Sequence, residues 1–164
     1  DSRLSRGLGD VYKRQEPSLE DIIEATIEKL KNFDKPFFIL VEGSQIDWAE
    51  HDNDQEYLLS EMLEFDKAVD VSYKYAIENK NTLVIVTADH ETGGAAIVSG
   101  DLEKQIVKIN YSSDEHTSEM VPVFSIGPYS EKFKGVYDNT EIFNKLFEIV
   151  KEWKDSFFQY YFYL

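Results

Sequence analysis

Apolar and polar positions along this chain switch repeatedly between a helical and a strand period. Ile22, Ile23, Ala25, Ile27 and Leu30 favour one side of a helix that Pro17 and Ser18 open, with Ser18 and Asp21 spaced for a capping-box-like start. Asn32 to Pro36 stop it. Phe37 to Val41 is a short unbroken apolar run, the pattern of a strand covered on both faces. A polar, acidic stretch follows from Glu42 to Glu56. Tyr57 to Asn79 is predicted as a long helix, because Met62, Phe65, Val69, Tyr73, Ala76 and Ile77 recur at helical spacing. Thr82 to Thr87 is a second buried strand, Ala95 to Val98 and Ile106 to Tyr111 are weaker ones, and Val121 to Ile126 is a further one. A last helix, from about Asn139 to Trp153, is expected to bury Ile142, Phe143, Leu146, Phe147 and Val150, with Asp138 and Glu141 placed to cap its start. Helices alternating with apolar strands predict an α/β sheet with helices on both faces.

The two ends depart from this pattern. Arg3, Arg6 and Arg14 are the chain's only arginines, and all lie in the first fifteen residues, where no hydrophobic period is visible. Asp1 to Gln15 therefore reads as a non-native leader joined to a domain over residues 16–154. At the other end Phe157, Phe158, Tyr160, Tyr161, Phe162 and Tyr163 crowd together, so residues 155–164 form an aromatic tail, expected to be an unstructured or sticky end.

Composition narrows the chemistry. A chain of 164 residues, 42% hydrophobic and 14% aromatic, has the material for one domain core. Its 32 acidic against 17 basic residues give a formal charge of −15, which repels nucleic acid and anionic membrane. The same charge would repel a phosphate ester unless bound cations reversed the local field. The absence of cysteine excludes disulfides, thiolate zinc sites and cysteine nucleophiles. No apolar run reaches the roughly 18–20 residues of a membrane span, and the first residues lack the pattern of a secretory signal.

Ligands in open α/β sheets bind beyond the carboxyl ends of the strands. The first strand runs straight into Glu42-Gly43-Ser44-Gln45-Ile46-Asp47-Trp48-Ala49-Glu50-His51. If Asp47 to His51 begins a helix, the i,i+4 relation sets both side chains on one face, within reach of one ion. The second strand ends in Thr87-Ala88-Asp89-His90-Glu91-Thr92-Gly93-Gly94, and the third histidine stands in Ser113-Asp114-Glu115-His116-Thr117. All three histidines of the chain thus lie beside carboxylates next to a core strand. Imidazole and carboxylate without sulfur suit catalytic zinc, and Glu42, an oxygen-only donor, suits magnesium. Ser44, Ser112 and Ser113 have no legible general base. Gly93-Gly94 lacks the spacing of a nucleotide fingerprint. Trp48, inside the ligand block, reads as a packing residue that could border a substrate entrance.

The Val-Glu-Gly-x2-Ile-Asp-x3-His block, the Thr-Leu-Val-Ile-Val-Thr-Ala-Asp-His strand and the Glu-His-Thr loop, in that order over Phe37 to about Val150, resemble the alkaline phosphatase family. The resemblance implies a three-layer α/β/α sandwich, alkaline-phosphatase-like and incomplete, with residues 16–154 as the C-terminal part of the domain. It also implies two zinc ions and one magnesium: Asp47, His51 and His116 on the first zinc, Asp89 and His90 supplying part of the second, and Glu42 part of the magnesium shell. The implied activity is hydrolysis of phosphate monoesters through a phosphoserine. Periplasmic or secreted location and a homodimeric full-length parent are implied in the same way. The family's Asp-Ser-Ala nucleophile segment and phosphate-gripping arginine have no counterpart here: neither Asp1-Ser2 nor Asp155-Ser156 is followed by alanine, and no arginine follows Arg14. The chain as written is therefore expected to bind zinc with little turnover. The alternatives are another metal-dependent hydrolase or mutase of the same superfamily, or a non-catalytic metal-binding module.

Overall fold

The computed structural model describes residues 17–33 and 35–152, together with the backbone of 159–163. Asp1 to Gln15, expected to be a leader, and residues 153–158 of the C-terminal end lie outside the described residues. Helix α1 (Leu19–Leu30) begins where Ser18 Oγ accepts from Asp21 N–H at 3.1 Å while an Asp21 carboxylate oxygen accepts from Ser18 N–H at 3.1 Å, the reciprocal pair of a capping box. Strand β1 (Phe37–Val41) leads into a short helix, α2 (Gln45–His51), and then into the long helix α3 (Gln55–Glu78). Asp54 turns the chain between α2 and α3: its carboxylate accepts from the N–H groups of Glu56 and Tyr57, both at 3.1 Å.

Strands β2 (Thr82–Val86), β3 (Glu91–Thr92), β4 (Ala96–Asp101), β5 (Ile106–Asn110), β6 (His116–Thr117) and β7 (Phe124–Ile126) follow. A 3-10 turn over Ser130–Phe133, helix α4 (Thr140–Glu152) and strand β8 (Gln159–Tyr163) complete the described chain. The main sheet has the order β1, β8, β2, β7, with β8 parallel to both of its neighbours and β7 antiparallel to β2. β3 pairs with β6, and β4 with β5, in two small antiparallel ribbons.

Successive residues of β2 point to opposite faces, and each face has its own core. On one side Val84 joins Val41, Ile23 and Ile27 of α1, and Ala68 and Ala76 of α3. On the other, Leu83 and Ile85 pack with Phe133 and with Ile149 of α4. These layers make the α/β sandwich that the alternating pattern predicts. Gly127 closes the turn after β7 at φ +104°, where an added Cβ would lie 1.9 Å from the Thr82 carbonyl oxygen, so only glycine lets the chain pass so close to β2.

Two expectations are corrected by this arrangement. β1 is covered on one face only: Phe38 and Leu40 remain 56% and 57% exposed, because α1 and α3 lie on the opposite side and α4 packs over β2. α4 turns Ile142, Leu146 and Ile149 inward and leaves Phe143, Phe147 and Val150 exposed, a rotation set by contact with Leu83 and Ile85. Gln159–Tyr163 forms the strand between β1 and β2, and its main chain pairs with both.

Candidate metal centre

The ends of β1 and β2 aim two loops at one place. β1 delivers Glu42 and then α2, whose Ala49 is fully buried and seats the helix, leaving Asp47 and His51 one turn apart on the accessible side. β2 delivers Asp89 and His90. The third contributor arrives through the β3–β6 ribbon, in which Thr92 pairs with His116. The Gly93-Gly94 turn supports that ribbon. Gly93 N–H donates to the Glu115 carbonyl at 3.0 Å, and the Gly93 carbonyl accepts from Ser112 and Ser113 N–H at 2.9 and 3.0 Å. Both glycines have positive φ, +81° and +56°, which fits the tight return. Glu91 fastens the ribbon further by accepting from Thr117 Oγ1 and from the N–H groups of Ala95 at 2.9 Å and Gly94 at 3.2 Å.

Asp47, His51 and His116 each present a ligand-capable atom, and these atoms lie within 4.8 Å of one another. His51 Nε2 is 3.1 Å from His116 Nε2 and 3.5 Å from an Asp47 carboxylate oxygen, while His116 Nε2 is 3.5 Å from the other Asp47 oxygen. The His51 ring is held by its second nitrogen, 2.6 Å from the Asp114 carbonyl. A carbonyl only accepts, so Nδ1 carries the proton and Nε2 turns a lone pair to Asp47 and His116. The Asp114 carbonyl first, and the charges of Asp47, Glu115 and Asp114 after it, raise the His51 pKa against the opposing effect of burial.

His90 adjoins this group. Its ring stacks on that of His116 with centroids 3.6 Å apart, and its Nε2 is 3.3 Å from an Asp89 oxygen. Thr92 fixes the tautomer. Its hydroxyl donates to Asp47 Oδ1 at 2.6 Å, so its oxygen is left to accept from His90 Nδ1 at 3.1 Å. His90 thereby presents a free Nε2 beside Asp89, two donors that one ion could share. Glu42 stands apart from both groups, on the wall of a cavity of about 440 Å³ that Asp47, Asp89 and His90 also line. Trp48, 64% exposed, borders the same cavity.

Of the six residues expected to hold metal, the structure thus brings Asp47, His51, His90 and His116 into one cluster, sets Asp89 against His90, and places Glu42 on the wall of the cavity that Asp47, Asp89 and His90 also line. Sequence reasoning missed Thr92, which is 1% exposed and joins Asp47 to His90. The available signal was a hydroxyl two residues after a strand-tip histidine. It also passed over Glu50, whose pKa is raised to about 7 by burial first and then by the nearby charges of Glu91 and Asp47. So many carboxylates at close quarters repel one another, and with oriented imidazoles among them the donor set fits divalent cations that accept nitrogen and oxygen.

The family model for alkaline phosphatase matches residues 9–110 and 97–152 of this chain. Alkaline phosphatase 4 of Bacillus subtilis is 32% identical over 205 aligned residues, which cover 84% of this chain and 44% of that protein. Streptomycin-6-phosphate phosphatase of Streptomyces griseus is 36% identical over 125 residues, covering 65% of this chain and 28% of its own length. The solved alkaline phosphatase of the Antarctic bacterium TAB5 superimposes with a TM-score of 0.75 at 39% identity, covering 81% of this chain and 41% of that one. The chain therefore spans less than half the length of these relatives.

Proposed function

Since the chain belongs to the alkaline phosphatase family, we propose that it carries the metal-holding part of a site for hydrolysis of phosphate monoesters. Asp47, His51 and His116 hold one zinc ion, Asp89 and His90 contribute to a second, and Glu42 contributes to a magnesium. The observation that carries this reading is the convergence of Asp47, His51 and His116, from α2 and a distant ribbon, to within the reach of one ion. When bound, such ions stabilise the attacking and leaving oxygens of phosphoryl transfer.

The chain's own residues orient and exclude. The Asp114 carbonyl and Thr92 set the two imidazole tautomers, Asp47 faces all three rings, and Trp48 walls the cavity toward solvent. Bidentate grip of phosphate needs a guanidinium, and none follows Arg14, so turnover requires groups that these residues do not supply. Export to a periplasmic or extracellular space belongs to the same proposal. Among the described residues no helix is long and apolar enough to cross a membrane.

The test is isothermal titration of zinc into metal-stripped protein, with circular dichroism to report the fold. Tight binding that both His51→Ala and His116→Ala abolish, in a protein that does not turn over p-nitrophenyl phosphate, is the expected result. A folded protein that ignores zinc would overturn the metal reading, and hydrolysis sensitive to His51→Ala would overturn the proposed lack of turnover.

A further inference from the structure

β1 and β2 are not hydrogen-bonded to each other in the described sheet. Each is joined only to β8 on the facing side, by five-residue parallel registers that run from Phe37 and Thr82, both opposite Gln159, to Val41 and Val86, both opposite Tyr163. The strand that unites the sheet is therefore an interior one, with donors and acceptors engaged on both edges. It is also drawn from outside the matched part of the chain, because the family match ends at residue 152. A strand outside the matched residues that pairs through its main chain on both edges is held by its position in this sheet. Main-chain pairing can do this, since ladder bonds are the same for any residue but proline. The occupant's sequence, Gln-Tyr-Tyr-Phe-Tyr, is uncharged, free of glycine and proline, and rich in residues that favour strands.

We propose that β1 and β2 form an acceptor slot for one parallel strand, and that Gln159–Tyr163 fills it as an exchangeable insert. The partner class is an extended, uncharged, aromatic or β-branched segment that enters parallel to β1. Its register ends with Tyr163 opposite Val41 and Val86, the last residues of β1 and β2. This inference rests on strand pairing and is independent of whether the centre binds metal.

Two measurements on the full chain decide it. Successive residues of an interior strand bond to opposite neighbours, so Tyr160→Pro with Tyr161→Pro removes a donor from each ladder. Hydrogen exchange should then quicken about tenfold or more in both 37–41 and 82–86, while the amides of α3 keep their protection. Unchanged exchange in the two strands would show that the slot is not filled by this segment. In the second arm the unmodified chain is incubated with a labelled peptide of residues 155–164, and with a control carrying proline at 160 and 161. A one-to-one adduct in native mass spectrometry is expected with the first peptide and not the control, together with fast exchange in the chain's own 159–163. No adduct, or equal uptake of both peptides, overturns the exchangeable insert even if the double-proline variant fails to fold.

Discussion

Thr92 donates its hydroxyl proton to Asp47 across 45 residues of sequence, at 2.6 Å, and the same oxygen is 3.1 Å from His90 Nδ1. One buried hydroxyl thereby sets the direction of a carboxylate and the tautomer of an imidazole that belong to different loops. Partners of this kind typically change metal affinity by about 10–100-fold when lost. Thr92→Val, which keeps the side-chain shape, should weaken zinc binding by about tenfold with an unchanged circular dichroism spectrum, and Thr92→Ser should restore it. Equal affinities of all three proteins would remove Thr92 from the site's support.

Glu50 gives the metal-free protein a pH dependence of definite sign. Its pKa is raised to about 7 from an ordinary 4.5, by burial and then by Glu91 and Asp47, so the fold holds a proton that the unfolded chain has already released. Its ionisation therefore subtracts stability as pH rises from about 4.5 to 7. The full shift would correspond to about 3 kcal/mol, and solvent screening at this half-buried site reduces it to about 1–2 kcal/mol. Urea melts of chelator-treated protein should show Glu50→Gln gaining that amount relative to wild type at pH 8 and nothing at pH 4. A constant difference across that range would contradict the assignment.

Ile149 tests the second face of the sheet. It is fully buried, with Leu83, Ile85 and Phe133. Ile149→Ala should destabilise the protein by about 2–5 kcal/mol, whereas Phe143→Ala, at an exposed position on the same helix, should change stability by about 0.5 kcal/mol or less. Chemical denaturation of both variants distinguishes this packing from the opposite rotation of the helix, which would reverse the two effects.

Asp54 holds the α2–α3 junction by accepting from Glu56 and Tyr57 N–H. Asp54→Ala should cost about 1 kcal/mol in a thermal or urea melt, and Asp54→Asn much less. A neutral alanine variant would mean that other contacts fix the start of α3.

Much of this architecture was legible because short-range chemistry decides it. Ser18 and Asp21 announce a capped helix, the run from Phe37 to Val41 becomes a strand over those residues, and the Asp47–His51 spacing becomes one helical face. What escaped was set by partners distant in sequence. The exposure of Phe38 and Leu40 depends on which helices cover β1, and an unbroken apolar run carries no record of that. β3 and β6 are two residues each, too short for any period, yet their pairing is what brings Thr92 beside His116. The aromatic end gave a composition without a destination, and the register of Gln159–Tyr163 became visible only beside both neighbours.

The distance along the chain between His51 and His116, 65 residues, gives their meeting a topological meaning. In a protein with no cysteine to form a covalent tie, an ion shared by these two rings is a cross-link that closes a loop running through α3, β2 and both ribbons. By the chain-entropy reasoning applied to disulfides, a tie over such a loop is worth about 4 kcal/mol if it persists in the unfolded chain. An ion that is released on unfolding acts instead as a reversible staple, one whose strength the surrounding solution sets through its free metal concentration.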